Sequence, residues 1–213
     1  LVRMVRAENF DDDPLRTLKG VRMAVKYGFE VEPATLEAIR ARADRIAEVA
    51  SERVTYELSV IFSSDQFRKA VDLLRRTGLA RPLGLRTREF HADDVSLAGA
   101  LALLYDEPRS RDALTLQRLI EHHDRVALYD AGDAIARQLP AVLRALGRDD
   151  ALDWPDFSIR SLLTGEEIAA LKQIEPGPEL GRIKRALLEA QIRGEVRTKE
   201  EARAFVAAFP VSS

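Results

Sequence analysis

Cysteine is absent from all 213 residues, which excludes disulfides, thiolate zinc sites and cysteine nucleophiles and suits a reducing compartment. No apolar run approaches the roughly 18 residues needed to span a bilayer. The N-terminus also lacks the basic, apolar and small-residue order of a signal peptide. The expectation is therefore a cytoplasmic protein without membrane contact. Neither sign of charge dominates, since 33 Lys and Arg face 35 Asp and Glu for a net charge of −2. The global field thus gives no argument for nucleic acid, and local clusters have to carry that case. Strand-like alternation of β-branched residues is nearly absent as well. What is present is 46% hydrophobic content, enough at this length to fill one large core or two small ones. The chain opens on Leu1 rather than methionine, as a processed or cut chain would.

Apolar residues recur with a period near 3.6, so the chain reads as all-α. Pro14, preceded by Asp13 as N-cap, should open a helix that ends at Tyr27 with Gly28 beyond it. A second helix is predicted over 33–50, with Leu36, Ile39, Ala43 and Ile46 on one face. A third follows over 52–62 with Ser51 as cap, and a fourth runs from Ser64 to before Gly78. Residues 79–93 read as a long connection. Helices resume over 95–105, 111–129 and 131–146, and 147–157 is the clearest break. Beyond it the pattern predicts a helix over 164–173, a turn at 175–181, a helix to about Arg193, and a last helix opened by Thr198. Glu201 stands three residues after Thr198, the spacing of a capping box.

The stretch FDDDPLRTLKGVR, residues 10–22, sets three aspartates before a proline. One carboxylate at a helix start is explained by capping and the macrodipole, worth roughly 0.5–2 kcal/mol. Three in a row are not, because like charges this close repel. At about 100° per residue, Arg16, Lys19, Arg22 and Lys26 share an arc of about 120° beside the apolar side made by Leu18, Val21 and Val25. Such a stripe either snorkels along a core or holds phosphate while nearby carboxylates accept from an amine. An Asp and an Arg side by side can mimic a base-pairing edge.

This segment, continued through MAVKYGFEVEPATL, resembles a motif of bacterial tRNA nucleotidyltransferases and poly(A) polymerases, in which an acidic pair, a small or proline residue and Leu-Arg precede "LRAVRFAARLGF". SERVTYEL, residues 51–58, resembles the family's "ERI..EL" helix. LTGEE (163–167), PGPELGRIKRALLEAQIRGEV (176–196) and TKEEA (198–202) follow its tail pattern. The resemblance implies an elongated multi-helix array with a neck over 1–62, a body over 63–150 and a tail over 151–213. It maps the nucleotide-reading template onto Asp12, Asp13 and Arg16, with Lys19 and Arg22 on the basic positions that follow. Glu52, Arg53 and Glu57 would support that template. Asp12 stands where many members have Glu, and Lys19-Gly20 replaces Arg-Ala, so the bidentate fork is lost at Lys19.

In the family, chemistry belongs to an N-terminal head with a Gly-Gly-x-Val-Arg-Asp turn, an Asp-x-Asp metal pair and an Arg-Arg-Asp motif. Those head motifs do not occur here. Asp11 and Asp13 have Asp-x-Asp spacing but sit at a helix start with no basic turn before it, and are not read as a metal site. The resemblance therefore implies a parent enzyme transferring CMP or AMP from CTP or ATP to a tRNA or other RNA 3′-end, with Mg2+ bound by the head. This chain alone would be inactive. The alternative is a stand-alone helical RNA-binding module, and a protein-binding scaffold is a third reading.

Local basic excess marks two RNA-binding candidates. Residues 63–88 hold seven basic against two acidic residues, among them Arg68, Lys69, Arg75 and Arg76. Residues 179–203 hold seven against five, with Arg182, Lys184 and Arg185 as candidates. Either is a phosphate-binding surface or a solvated helix face. His122-His123-Asp124 reads as polar helix surface, since a metal site needs further ligands on facing helices. Trp154 reads as an anchor packing the 147–157 break.

Overall fold

The computed structural model describes residues 1–210, so the last three residues of the segment 151–213 lie outside it. Its elements are α1 (Asn9–Asp12), α2 (Leu15–Lys26), α3 (Pro33–Arg40), a 3-10 turn (Ala43–Glu48), α4 (Ser51–Phe62), α5 (Phe67–Arg76), α6 (Leu97–Leu104), α7 (Arg111–Glu121), α8 (Arg125–Ala131), α9 (Asp133–Ala136), α10 (Leu139–Ala145), α11 (Gly165–Lys172), α12 (Pro178–Arg193) and α13 (Lys199–Ala208). The fold is all-α. Among the described residues the only extended pairing is an isolated parallel bridge between Val2 and Val31.

Two compact units emerge. One comprises Leu1–Glu121 with Arg137–Asp150, the other His122–Ala136 with Ala151–Ser213. In the first, α2 packs against α4, α5 and the 3-10 turn, while α6, α7 and α10 pack on one another. The apolar side of α2 supplies Leu18, Val21, Ala24 and Val25, all at 0% exposure, to a core that also holds Ile39, Phe62 and Phe67. Phe67 meets Phe90 edge-on with centroids 5.0 Å apart, a geometry the ring quadrupole favours. In the second unit, α11, α12 and α13 pack together around Ile168, Ile183, Leu187 and Val206, and α8 packs on α12.

Helix ends follow local chemistry in several places. Asp13 is extended, and its Oδ1 accepts from the Leu15 N–H at 3.3 Å, while α2 itself begins at Leu15 with Pro14 in the N-cap position, one residue later than predicted. Gly28 adopts φ 68° past the end, where a Cβ would be strained. Thr164 and Thr198 each form a full capping box with Glu167 and Glu201.

Elsewhere tertiary contacts override the periodic pattern. The predicted helix over 33–50 divides at Ala41–Arg42 into α3 and the 3-10 turn, and both Arg42 and Arg45 reach back to Asp11. Ser51 does not cap α4: it is the helix's first residue, after an extended Ala50. Ser64 does not open α5 either, since its hydroxyl donates to the Ile61 carbonyl at 2.7 Å and the helix begins at Phe67. The predicted helix over 111–129 breaks at residues 122–124. Asp124 accepts from the Ala127 N–H at 2.8 Å and opens α8, so the HHD run is a connection ended by a cap rather than polar helix surface. Pro140 sits in the first turn of α10, separating it from α9 within the predicted 131–146 helix. The predicted turn at 175–181 is shorter than expected, because Pro178 is tolerated at a helix start and α12 begins there.

Candidate nucleotide and RNA site

The three aspartates have three different environments. Asp11 is held by a two-arginine clamp: Arg42 donates through Nε at 2.9 Å and Nη2 at 3.0 Å, and Arg45 Nη1 at 3.0 Å. The Arg42 hydrogen bonds, outweighing the opposing desolvation, hold the Asp11 carboxyl below the ordinary aspartate range. Asp13 caps α2 and lies 3.5 Å from Arg53 Nη2 on α4. Asp12 is exposed at the end of α1, and no hydrogen-bond or ion-pair partner engages its carboxylate among the described residues.

Arg16 is exposed as well, and donates from Nη1 to the Asn9 carbonyl at 3.1 Å. That bond ties the guanidinium back to the first residue of α1, across the turn joining α1 to α2. Lys19 is half-buried on the same helix. Asp12, Arg16 and Lys19 thus retain hydrogen-bonding capacity that Asp11 and Asp13 have committed to protein.

Arg22 is placed differently from Arg16 and Lys19. It turns to Glu57 on α4, Nε to Oε2 at 2.8 Å, with the glutamate side chain only 5% exposed. The two atoms touch without the alignment of a hydrogen bond, so the contact is Coulombic and clasps α2 to α4. Glu52 and Arg53 are exposed on α4, and of the two only Arg53 reaches the acidic turn. Sequence reasoning missed Arg42 and Arg45. They lie 31 and 34 residues from Asp11, and no local spacing marks the pairing.

The basic excess of 63–88 is largely met by acids from distant segments. Arg68 binds Asp93 in a fork at 2.8 and 2.6 Å, Lys69 faces Glu30 at 3.7 Å, and Arg81 binds Asp44 at 2.7 Å. Arg75 and Arg76 share Asp72. On α12, Arg182 pairs with Glu179 and lies over the Phe209 ring at 5.1 Å. Arg185 joins Asp130 and Glu189, and the Asp130 hydrogen bond raises its pKa further. Lys184 is exposed, and Trp154 is 37% exposed. No group of three or more His, Asp or Glu side chains that could hold a metal occurs among the described residues.

Known proteins resemble this chain over most of its length. Residues 28–85 match the family described as "Probable RNA and SrmB- binding site of polymerase A". The chain is 28% identical to an A-adding tRNA nucleotidyltransferase of Deinococcus radiodurans, over 97% of this chain and 70% of that protein. It is 29% identical to a CC-adding tRNA nucleotidyltransferase of Thermus thermophilus, over 95% of this chain and 68% of that one. These matches are to tRNA nucleotidyltransferases. The chain's span fits the C-terminal part of such nucleotidyltransferases, and it covers 58% of the length of a Lactococcus lactis CCA-adding enzyme to which it is 23% identical. The fold is that of the Bacillus stearothermophilus CCA-adding enzyme solved in complex with CTP, with a TM-score of 0.67 at 21% identity, covering 95% of this chain and 63% of that one. No described helix is long and apolar enough to cross a membrane.

Proposed function

We propose that this chain is the nucleotide-selecting and RNA-binding part of an enzyme that transfers CMP or AMP from CTP or ATP to a tRNA or other RNA 3′-end. The observation that carries this reading is the division of labour within FDDDP: Asp11 and Asp13 are engaged by protein, while Asp12 and Arg16, both exposed around the same turn, leave an acceptor and a donor available. Cytosine and adenine both offer an exocyclic amine next to a ring nitrogen acceptor, whereas uracil and guanine offer a carbonyl next to an N–H. An aspartate acceptor paired with an arginine donor fits the first edge and opposes the second. Lys19, one turn along, is positioned for phosphate, and the Arg22–Glu57 clasp with Arg53 holds the turn in place. The divalent metal that phosphoryl transfer requires is assigned to a head outside these residues. The isolated chain should then show no transfer.

Fusing the chain to a relative's head and measuring incorporation tests the template. Arg16→Ala should relax discrimination against UTP and GTP by about 1–3 kcal/mol, the worth of a good base-edge contact. Unchanged nucleotide selectivity would sink the template role. The match over residues 28–85 also favours a second reading, a helical RNA-binding module without transferase activity. Salt-dependent tRNA binding together with no CTP or ATP effect in the fusion would favour it.

A further inference from the structure

The C-terminal end of α2 carries a feature that nucleotide selection does not use. Tyr27 and Phe29 are 52% and 42% exposed, and their rings stack at 5.7 Å with planes 29° apart. Lys26 Nζ stands 5.5 Å from the Tyr27 centroid and also lines a recess of about 560 Å³ with Ser59, Ser63, Ser64 and Asp65. The Ser59 and Ser64 hydroxyls each donate at 2.7 Å to a carbonyl of α4. Their protons are thereby committed, and what they turn toward a ligand is oxygen lone pairs. The recess therefore combines one cation and several acceptors, and Lys26 joins it to the exposed aromatic pair next to it.

That chemistry suits one nucleotide of single-stranded RNA. A base stacks on the exposed Tyr27–Phe29 pair, its ribose 2′-hydroxyl donates to the Ser59, Ser64 or Asp65 oxygens, and the adjoining phosphate meets Lys26. Deoxyribose lacks the donor that these acceptors need. The position agrees with the template. Lys19 and Lys26 are seven residues apart, so at about 100° and 1.5 Å per residue they sit on one side of α2, about 10 Å apart along its axis. A strand running along this side would pass from the Asp12–Arg16 turn to the recess.

We propose that Lys26, Tyr27 and the serine-lined recess form a subsite for single-stranded RNA that discriminates ribose from deoxyribose. It rests on the reading of the chain as RNA-binding and adds a specific place and a sugar preference.

The test is fluorescence anisotropy of the full chain with a labelled mixed-sequence RNA decamer and its 2′-deoxy counterpart. Tyr27→Leu, which keeps an apolar side chain but removes the π-face, should weaken RNA binding on the order of 5- to 20-fold. Lys26→Gln should lower the slope of log affinity against log salt by about one. The deoxy strand should bind more weakly to the wild type, and this preference should shrink in Ser59→Ala/Ser64→Ala. Both α2 variants are at exposed positions, and circular dichroism should show unchanged helicity. RNA binding by the wild type with no loss in either α2 variant overturns the subsite and leaves the functional proposal standing, as it would if a protein covers this face. Absence of RNA binding by the wild type overturns both the subsite and the RNA-binding part of that proposal, while the Arg16→Ala selectivity assay continues to judge the template separately.

Discussion

Arg22 and Glu57 show how one pair of side chains can decide a role that charge alone leaves open. The basic stripe on α2 contains four cations within one arc, and Arg22 is the one that meets a carboxylate only 5% exposed. Glu57→Gln should destabilise the first unit by roughly 2–4 kcal/mol, because it leaves a partly buried guanidinium without its counter-charge. Urea unfolding would measure this. Arg22→Met combined with Glu57→Leu should cost less than the single change, and an equal or larger loss for the double variant would refute the desolvation argument. Asp11 offers a pH signature. Its folded pKa is depressed by Arg42, so the clamp is complete above the unfolded value of about 3.9 and loosens as pH falls through the folded value. In Arg42→Gln, the Asp11 carboxyl resonance should titrate closer to the ordinary aspartate midpoint.

At the level of elements, the Thr198–Glu201 capping box was legible from spacing alone, because Thr-x-x-Glu places both partners within one turn, and the structure adds a second at Thr164–Glu167. Backbone N–H groups of Arg197 and Thr198 lower the Glu201 pKa, so the box is intact at neutral pH and opens as pH falls through that lowered value. Thr198→Ala should cost about 1 kcal/mol, and amide exchange should rise first at the start of α13. Gly99 is the opposite case, since no local signal marks it. Alanine would ordinarily favour a helix by up to about 1 kcal/mol over glycine. Here a Cβ would lie 2.8 Å from Val142 Cγ2 on α10 and 2.9 Å from Val95 Cγ1. Overpacking of that kind typically costs about 1–3 kcal/mol, so Gly99→Ala should lower the urea midpoint. Adding Val142→Ala should recover part of the loss.

Over the whole molecule, charge counted along the chain and charge arranged in space disagree. The +5 excess of 63–88 faces Asp93, Asp44 and Glu30, which lie far away in sequence. Exposed pairs of this kind contribute only about 0–1 kcal/mol each to stability, but they reduce the field available to a phosphate backbone. Asp93→Asn with Asp44→Asn should therefore leave the thermal midpoint nearly unchanged while strengthening tRNA binding on the order of two- to five-fold per site at low salt, with a steeper salt dependence. Binding titrations at two ionic strengths would check it, and a flat response would mean that Arg68 and Arg81 lie away from the RNA path.

The sequence by itself determined the all-helical class, the aspartate-proline turn that precedes α2, the stop at Gly28, the Thr198 capping box and the resemblance to tRNA nucleotidyltransferases. Each of these is encoded within a few residues or in an ordered set of motifs. Tertiary structure alone decided which aspartate of FDDDP stays available, because Arg42, Arg45 and Arg53 reach the row from 31 to 40 residues away. It also broke the predicted 33–50 and 111–129 helices and paired most of the basic excess. The physical reason is the same in each case. Periodicity and capping are local energies, whereas a carboxylate's choice among several arginines depends on which elements the core brings within about 3 Å.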